Sequence, residues 1–264
     1  MPIKNSALDS EFSLKNLESF GKKTDEPTFI SKLSNYFNYS NLGESTFRGR
    51  QLFDWIYRRK IDDISMMTNL PTELRSKLKS IPFHPLKLVI NKYSKSNETT
   101  KFVFMLKDGQ KVESVLMKED NRITICLSTQ VGCAVDCKFC ATAKMGFKKN
   151  LSVGEIIDQF FQIQSIINQR ITNVVFMGMG EPFLNYDNTI NAANLLHHPK
   201  GINLGAKRIT ISTAGVVPKI NRYTKERQPY RLAVSLNATT DDDRMKIMPL
   251  TKIYSFIELM NSVR

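Results

Sequence analysis

The chain has 264 residues, 41% hydrophobic and 24% charged, so it can bury one large core and a small accessory domain. Its apolar runs are only as long as a strand, and its N-terminus lacks a secretory apolar core, so a membrane protein is excluded and a cytoplasmic one is expected. The net charge of +13 favours a polyanionic partner such as nucleic acid, although a solvated lysine-rich surface explains it equally well.

The N-terminal third of the chain divides into an arm and a helical region. Residues 1–28 are polar and charged, and we predict a flexible arm there. Residues 29–98 are predicted to form a helical accessory domain that binds RNA, in which Pro71 opens the second helix. Residues 91–100, rich in Ser, Lys and Asn, are predicted to be a linker.

The first predicted helix of this domain, residues 47–60, has an apolar face and a basic face. The residues of the apolar face are Leu52, Phe53, Ile56 and Tyr57. Trp55 and Tyr57 are interpreted as packing residues beside the solvated Arg58 and Arg59. Stacking on bases and contacts to phosphate are the alternatives.

The rest of the chain has the pattern of an α/β protein. Residues 99–118 are predicted to form a β-hairpin linker region, because two strand-like runs flank the turn signal Asp108-Gly109. In residues 119–264, strands alternate with helices, which indicates a parallel sheet with crossover connections, as in a barrel or part of one. Strands are predicted near residues 123–128, 174–177, 209–212 and 232–236, and helices over residues 153–167 and 188–196.

Three of the four cysteines, Cys133, Cys137 and Cys140, form C-x3-C-x2-C on a loop after a strand. This spacing fits neither a pair of zinc knuckles nor a thioredoxin-type C-x-x-C. Three thiolates on a [4Fe-4S] cubane leave one iron open for a small molecule, as a catalytic site needs. The alternative is a zinc site completed by a histidine, but the candidates His84, His197 and His198 are distant in sequence.

The cysteine segment resembles a known signature. Residues Gly132 to Thr142, with an aromatic residue before the last cysteine, are similar to the radical-SAM motif. The wider frame, from Gln130 through Gly146-Phe147 to Leu151, resembles one branch of that superfamily, the RlmN/Cfr RNA adenine methyltransferases. The resemblance implies a partial TIM-like radical-SAM barrel in which a [4Fe-4S] cluster reduces bound S-adenosylmethionine to a 5′-deoxyadenosyl radical.

The resemblance also implies where S-adenosylmethionine binds. The segment Gly178 to Pro182 follows a predicted strand, and its exposed backbone groups and one carboxylate suit the ammonium group of the cofactor. Without the resemblance, this segment would be an ordinary strand-end turn. The residues assigned to the cofactor in this way are Gly180, Glu181, Ser212, Ser235, Leu236 and Asn237.

Two catalytic roles are implied in the same way. Cys126 lies seven residues before Cys133, where the family keeps a cysteine that resolves a protein–RNA adduct by forming a disulfide. From burial statistics alone, Cys126 would be a small buried hydrophobe. Glu113 matches the family's proton acceptor, and its position beside Val115 and Met117 on one strand face predicts a partly desolvated carboxylate. The alternative is a surface glutamate on an edge strand.

The reaction implied by the resemblance is methyl transfer to C2 of an adenine in 23S rRNA and in tRNA next to the anticodon. Adenine C2 is electron-poor, so radical addition gives a physical reason for the cluster. The implied electron donor is a flavodoxin or ferredoxin, and we expect a monomer without membrane contact. Five basic residues are expected to ring the barrel mouth and hold RNA phosphate, or else to be ordinary solvated charges: Lys144, Lys148, Lys149, Lys207 and Arg208.

Two other functional classes stay open. One is a radical-SAM enzyme that acts on a peptide or metabolite, and the other is a non-catalytic RNA-binding module with an iron–sulfur cluster. The family carries the methyl group on a cysteine near the C-terminus, and here no cysteine follows Cys140. We therefore expect a C-terminally truncated member whose barrel lacks its last strands and which is inactive in methyl transfer by itself.

Overall fold

The computed structural model describes residues 46–61, 63–79, 84–96 and 98–264. The predicted arm, residues 1–28, lies outside these ranges, as does the beginning of the predicted helical domain. The chain divides into two compact units, Met1–Arg50 and Gln51–Arg264. Among the described residues, no helix has the length and apolarity that crossing a membrane requires.

Helix α1, Thr46–Phe53, continues into a π-helical turn, Asp54–Arg58. The predicted apolar face was wrong at one position, because Ile56 is only partly buried whereas Trp55 is buried. A π-helical turn contains more residues than an α-helical turn and so rotates the following side chains away from the predicted face. The sequence pattern, read with the α-helical period, could not anticipate this rotation.

The interpretation of the aromatic cluster in this turn is confirmed. Trp55 and Tyr57 are buried, and Arg58 and Arg59 are exposed. The Arg59 guanidinium lies 4.2 Å from the centre of the Trp55 ring, a cation–π geometry that covers the indole. A 3-10 turn, Ile64–Met66, and helix α2, Thr72–Leu78, follow, and α2 begins directly after Pro71 as predicted.

The main sheet of the described residues has seven strands in the order β1-β2-β3-β4-β7-β8-β9. Strands β1 to β4 are antiparallel to their neighbours, and β4, β7, β8 and β9 are parallel. The bounds are β1 Lys87–Tyr93, β2 Thr99–Met105, β3 Lys111–Glu119, β4 Arg122–Cys126, β7 Asn173–Phe176, β8 Ile209–Thr213 and β9 Arg231–Val234. The predicted hairpin is confirmed as β2 and β3, and the predicted α/β class with a parallel sheet is confirmed as well.

The predicted linker, residues 91–100, was wrong. It contains the end of β1, a turn and the start of β2, which pair in antiparallel register. Strand β1 lies at the edge of the sheet, and nearly all of its residues are exposed. Its polar composition therefore reflects an exposed edge strand and not an irregular connection.

Helices connect the parallel strands. Helix α3 begins at a capping box in which Ser152 and Glu155 satisfy each other's backbone N–H groups. The helices are α3 Val153–Ile166, α4 Tyr186–His197, α5 Val217–Lys225, α6 Asp241–Ile247 and α7 Phe256–Ser262. The predicted helices over residues 153–167 and 188–196 correspond to α3 and α4 and are confirmed.

The main sheet has one buried face and one open face, because side chains alternate along each strand. The buried face packs against helices, and there the Ser114 hydroxyl donates to Gln159 of α3 at 2.6 Å. The open face is only partly buried, and strand pairing aligns its residues across the sheet. We define the open face by Glu113, Val115, Cys126, Val175, Thr210, Ser212 and Ala233.

Candidate active site at the carboxyl edge of the parallel strands

The predicted site residues follow the parallel strands at the same end. The cysteine loop, residues 132–148, comes after β4, and Gly180 and Glu181 come after β7. Ser212 lies near the end of β8, and residues 235–237 follow β9. Carboxyl ends of neighbouring parallel strands meet at one edge of a sheet. The structure therefore brings the predicted cluster ligands and cofactor residues to one edge.

A short two-stranded ribbon closes the cysteine loop at its base. Strand β5, Gln130–Val131, pairs with β6, Lys149–Asn150, and the Lys148 N–H donates to the Val131 carbonyl at 2.9 Å. Gly132 has φ +72°, and a Cβ at that position would lie 1.7 Å from the carbonyl oxygen of Gly146. Only glycine permits this crossing of the two loop ends.

The three loop cysteines are partly buried and influence one another. Burial, followed by the negative charges of Glu181, Cys137 and Cys140, raises the pKa of Cys133 to about 12. Burial and then the Cys140 thiol raise the pKa of Cys137 to about 11. Because neighbouring thiolates and a carboxylate repel one another, a thiolate set here requires a bound cation. This donor set fits an iron–sulfur cluster, which supplies that positive charge.

The described residues contain no group of three His, Cys, Asp or Glu side chains already arranged to hold a metal ion. The histidines of the predicted alternative zinc site have contacts elsewhere. His84 Nδ1 lies 2.5 Å from Asp158 of α3, and His197 Nδ1 lies 2.8 Å from the Leu204 carbonyl. The His198 ring packs against Phe53. The zinc alternative thus gains no support from the histidines.

Glu181 is buried between the turn after β7 and the turn after β8. Its two carboxylate oxygens accept N–H groups from Phe183 at 2.9 Å and Ala214 at 2.7 Å. Burial raises the pKa of Glu181 to about 7. Its own N–H donates to Gln130 Oε1 at 2.8 Å, which connects this turn to the start of the cysteine loop. Glu181 therefore links the turns after β7 and β8 to the start of the cysteine loop.

The contact between the Glu181 turn and Gln130 requires glycine at position 180. It has φ +100°, and a Cβ would lie 2.5 Å from the Cβ of Gln130. The neighbouring predicted cofactor residues have internal contacts as well: the Ser212 hydroxyl donates to the Phe176 carbonyl at 2.8 Å. Asn237, with φ +58°, directs its side-chain amide to the Met248 sulfur at 3.2 Å.

Cys126 and Glu113 lie on the open face, on neighbouring strands. Val115 is the pairing partner of Cys126, so Glu113 lies two residues further toward the carboxyl edge of the parallel strands. Burial raises the pKa of Cys126 to about 11. The Glu113 side chain is 42% exposed and pairs with Lys101 at 2.7 Å.

The predicted partial desolvation of Glu113 agrees with this exposure, whereas the edge-strand alternative does not hold, because β3 is paired with both β2 and β4. The sequence correctly placed Glu113, Val115 and Met117 on one face, but the buried face of β3 is the other one, formed by Val112, Ser114 and Leu116. Alternation reveals that two faces exist and not which of them the helices cover.

Comparisons with known proteins agree with this geometry. A family model described as "Ribosomal RNA large subunit methyltransferase N-terminal domain" matches residues 30–82, and the Radical SAM superfamily model matches residues 127–264. A radical SAM methyltransferase structure from Sphaerobacter thermophilus superposes with a TM-score of 0.81 at 40% identity, covering 91% of this chain and 72% of that one. Two curated relatives are each called "Probable dual-specificity RNA methyltransferase RlmN". The chain belongs to the RlmN branch of the radical SAM superfamily.

The two RlmN relatives are longer than this chain. The relative from Geobacillus kaustophilus is 42% identical over 226 residues, which are 84% of this chain and 62% of the relative. The relative from Thermotoga petrophila is 46% identical over 228 residues, which are 85% of this chain and 66% of the relative. The chain thus spans about two thirds of their length. Membership of the radical SAM superfamily implies a [4Fe-4S] cluster and S-adenosylmethionine.

The basic residues expected around the site of this RlmN-type chain fall into three groups. Lys144 and Lys148 are exposed in the C-terminal part of the cysteine loop. Lys149 is shared between Glu155 at 3.1 Å and Asp108 at 3.4 Å, so carboxylates already balance its charge.

The prediction for Lys207 and Arg208 was wrong. Both lie in a 3-10 turn, Ala206–Arg208, that directly precedes β8. Residues before a parallel strand lie at its amino end, so this pair is at the edge of the sheet opposite the cysteine loop. The sequence correctly places the two residues before a strand, and the error was to assign the amino end of that strand to the barrel mouth.

Sequence reasoning missed the supporting role of two residues in this RlmN-type site. Gln130 joins Glu181 to Asn150, to which its amide donates at 2.7 Å. Its place in the motif frame was a signal that could have identified it. Arg244 is fully buried, although it lies in a strongly charged segment that is typical of an exposed helix. No sequence signal identifies Arg244.

Proposed function

We propose that this chain is the radical-generating core of a methyltransferase that modifies C2 of an adenine in 23S rRNA and in tRNA next to the anticodon. The observation that carries the proposal is the convergence of the cysteine loop, the Glu181 turn and the open face at one edge. The names of the RlmN relatives support RNA as the methyl acceptor.

Cys133, Cys137 and Cys140 would hold the cluster, and Gly180, Glu181, Ser212 and residues 235–237 would hold S-adenosylmethionine. When bound, the cluster supplies the electron that cleaves S-adenosylmethionine to a 5′-deoxyadenosyl radical. Gly180 lets the backbone approach closely at this point, because any side chain there would overlap Gln130. The partly exposed open face below this edge is where an extruded adenine would be received.

Glu113 and Cys126 supply the polar chemistry of the proposal. Glu113 would accept the C2 proton, and its ion pair with Lys101 would hold its carboxylate in place for this step. Burial raises the pKa of Cys126 to about 11 and keeps it as a thiol at neutral pH. After losing its proton, Cys126 would attack the sulfur of a carrier cysteine supplied by the remaining C-terminal segment. The S–S bond would form as the bond between that sulfur and the methylene carbon on adenine breaks, and the methylene carbon would keep the electron pair and take up a proton to become the methyl group. The placement of Glu113 and Cys126 on adjacent strands of the open face lets both reach one base.

The partners follow from this proposal. The RNA substrates are 23S rRNA and tRNA, the electron donor is a flavodoxin or ferredoxin, and the protein acts as a cytoplasmic monomer. The exposed Lys144 and Lys148 in the cysteine loop favour an RNA substrate over a peptide or metabolite.

The first test of the proposal is cofactor cleavage. Anaerobically reconstituted and reduced protein should convert S-adenosylmethionine to 5′-deoxyadenosine, measured by chromatography, whereas Cys133→Ala should not. Absence of cleavage in a protein that holds its cluster would favour the non-catalytic RNA-binding module.

The second test is methyl transfer. A chimera that adds the remaining C-terminal segment of the Thermotoga petrophila relative should methylate adenine C2 in RNA, measured by mass spectrometry of nucleosides. Cys126→Ala and Glu113→Gln chimeras should keep cofactor cleavage and lose methylation. Cleavage by the chimera with no methylated RNA would favour a peptide or metabolite substrate.

A further inference from the structure

Arg244, on helix α6, is a fully buried arginine at the carboxyl edge of the parallel strands. Its guanidinium donates to the Thr251 hydroxyl at 2.7 Å, to the Leu236 carbonyl at 3.2 Å and to the Ser235 carbonyl at 3.4 Å. It also donates to the carbonyl of Ala214. All four acceptors are neutral oxygens, and a buried positive charge with only neutral acceptors retains much of its desolvation cost.

These hydrogen bonds connect two turns of the site. Ala214, in the turn after β8, donates its N–H to Glu181, while Ser235 and Leu236 follow β9. Gly215 lets the guanidinium approach: it has φ +110°, and a Cβ there would lie 3.2 Å from Arg244 Nη2. One side chain therefore fixes the spacing between the turn that supports Glu181 and the turn predicted to contact the cofactor.

The same helix also contacts the cysteine loop. The N–H of Lys138, the residue after Cys137, donates to the carbonyl of Ile247 at the end of α6 at 2.8 Å. Arg244 precedes Ile247 by three residues on this helix, so it lies within about one helical turn of this contact with the cysteine loop. Within the described residues, the negative charges that act on the buried guanidinium are those of the Asp241 carboxylate on the same helix and of the Cys137 thiolate.

We propose that Arg244 is a positioning residue that holds the turns after β8 and β9 in register and places a permanent positive charge close to the cysteine loop. This inference rests on the proposed function, because it assigns Arg244 to the same cluster and cofactor. A positive charge near a cluster stabilises the reduced form, which carries the additional negative charge, and so raises the reduction potential.

Two substitutions of Arg244 distinguish its positioning of the turns from the effect of its charge on the cluster. Arg244→Lys keeps the charge but loses the planar fork of donors, so we expect S-adenosylmethionine to bind about tenfold more weakly with the reduction potential nearly unchanged. Arg244→Gln removes the charge, so the cluster should also become reducible only at a more negative potential. Arg222→Gln is the control, because Arg222 is partly exposed and pairs with Asp187 and Glu226 near the far end of α5.

The potential is measured by redox titration with electron paramagnetic resonance detection, and cofactor affinity by equilibrium dialysis of the reconstituted 264-residue chain. The inference is overturned if Arg244→Gln retains the wild-type potential and affinity in a protein that holds a full cluster. Failure of the wild-type chain to assemble a cluster would instead refute the proposed function.

A third variant keeps the inference testable if the Arg244 variants do not fold. Thr251→Val removes one acceptor of the guanidinium with little change in volume. It should weaken S-adenosylmethionine binding severalfold and leave the potential near that of the wild type, because the charge remains. Unchanged binding in Thr251→Val would contradict the positioning role.

Discussion

At the scale of single residues, the four cysteines occupy two different environments. Cys133, Cys137 and Cys140 share one loop and interact electrostatically, whereas Cys126 lies within β4 on the open face. We predict that alanine substitution of any loop cysteine abolishes cluster binding, because no other thiol follows the loop to replace it. Cys126→Ala is the matched control and should retain close to full iron and sulfide. Equal loss of iron in the Cys126 variant would contradict the assignment.

Single residues also show how far sequence reasoning reaches. The spacing of the cysteines was sufficient to predict that they act together, since ligand spacing is a local property. The environment of Glu113 was not predictable, because its Lys101 partner lies on another strand and the covered face depends on helix packing. Arg244 was missed because its neighbours Asp241, Asp242 and Asp243 give the segment the composition of a solvated helix.

At the scale of elements, the two ends of the cysteine loop cross at Gly132, and this crossing requires glycine at that position. Gly132→Ala should destabilise the protein by several kcal/mol, roughly 4 or more, because the new Cβ would displace the Gly146 backbone in addition to straining a positive φ. Thermal unfolding monitored by circular dichroism measures this loss.

Gly109→Ala is the control for this substitution. Gly109 also has a positive φ, +79°, but no atom lies within 4 Å of the Cβ that alanine would add. Its cost should be about 1 kcal/mol, from backbone strain alone. Equal losses in the two variants would show that the Gly146 carbonyl lies farther from Gly132 than the structure places it.

Helices and strands were predicted well wherever burial of one face gives the sequence a periodic pattern of apolar residues. The apolar strands β4, β7 and β8 and helices α3 and α4 followed directly from such runs. Prediction failed at β1, whose exposed edge position leaves no apolar pattern, and at Ile56, where the π-helical turn changes the number of residues per turn. In both places the local sequence lacks information about the tertiary contacts that decide the structure.

At the scale of the whole molecule, the net charge of +13 predicts that RNA binding depends steeply on salt. Phosphate contacts release counterions, so affinity should fall on the order of a thousandfold between about 50 and 200 mM salt if six or more contacts form. Filter binding of tRNA across a salt series measures the slope. A flat dependence would argue for a peptide or metabolite substrate.

The placement of the basic residues predicts at which edge of the sheet RNA binds. The double variant Lys144→Ala, Lys148→Ala should weaken RNA binding, because both residues are exposed in the cysteine loop. The double variant Lys207→Ala, Arg208→Ala removes the same charge from the opposite edge of the sheet and should change affinity little. Equal losses in the two variants would show that RNA does not approach through the carboxyl edge.

The division of the sheet into a buried and an open face constrains how this sequence can diverge. Deleting one residue within β4 would exchange Cys126 for its neighbour on the open face and turn the thiol toward the helices. A change in the length of this strand would thus remove the thiol from the open face as completely as a substitution of Cys126 would. Insertions and deletions among homologues should accordingly accumulate in exposed turns such as residues 107–110, while the core strands vary by substitution alone.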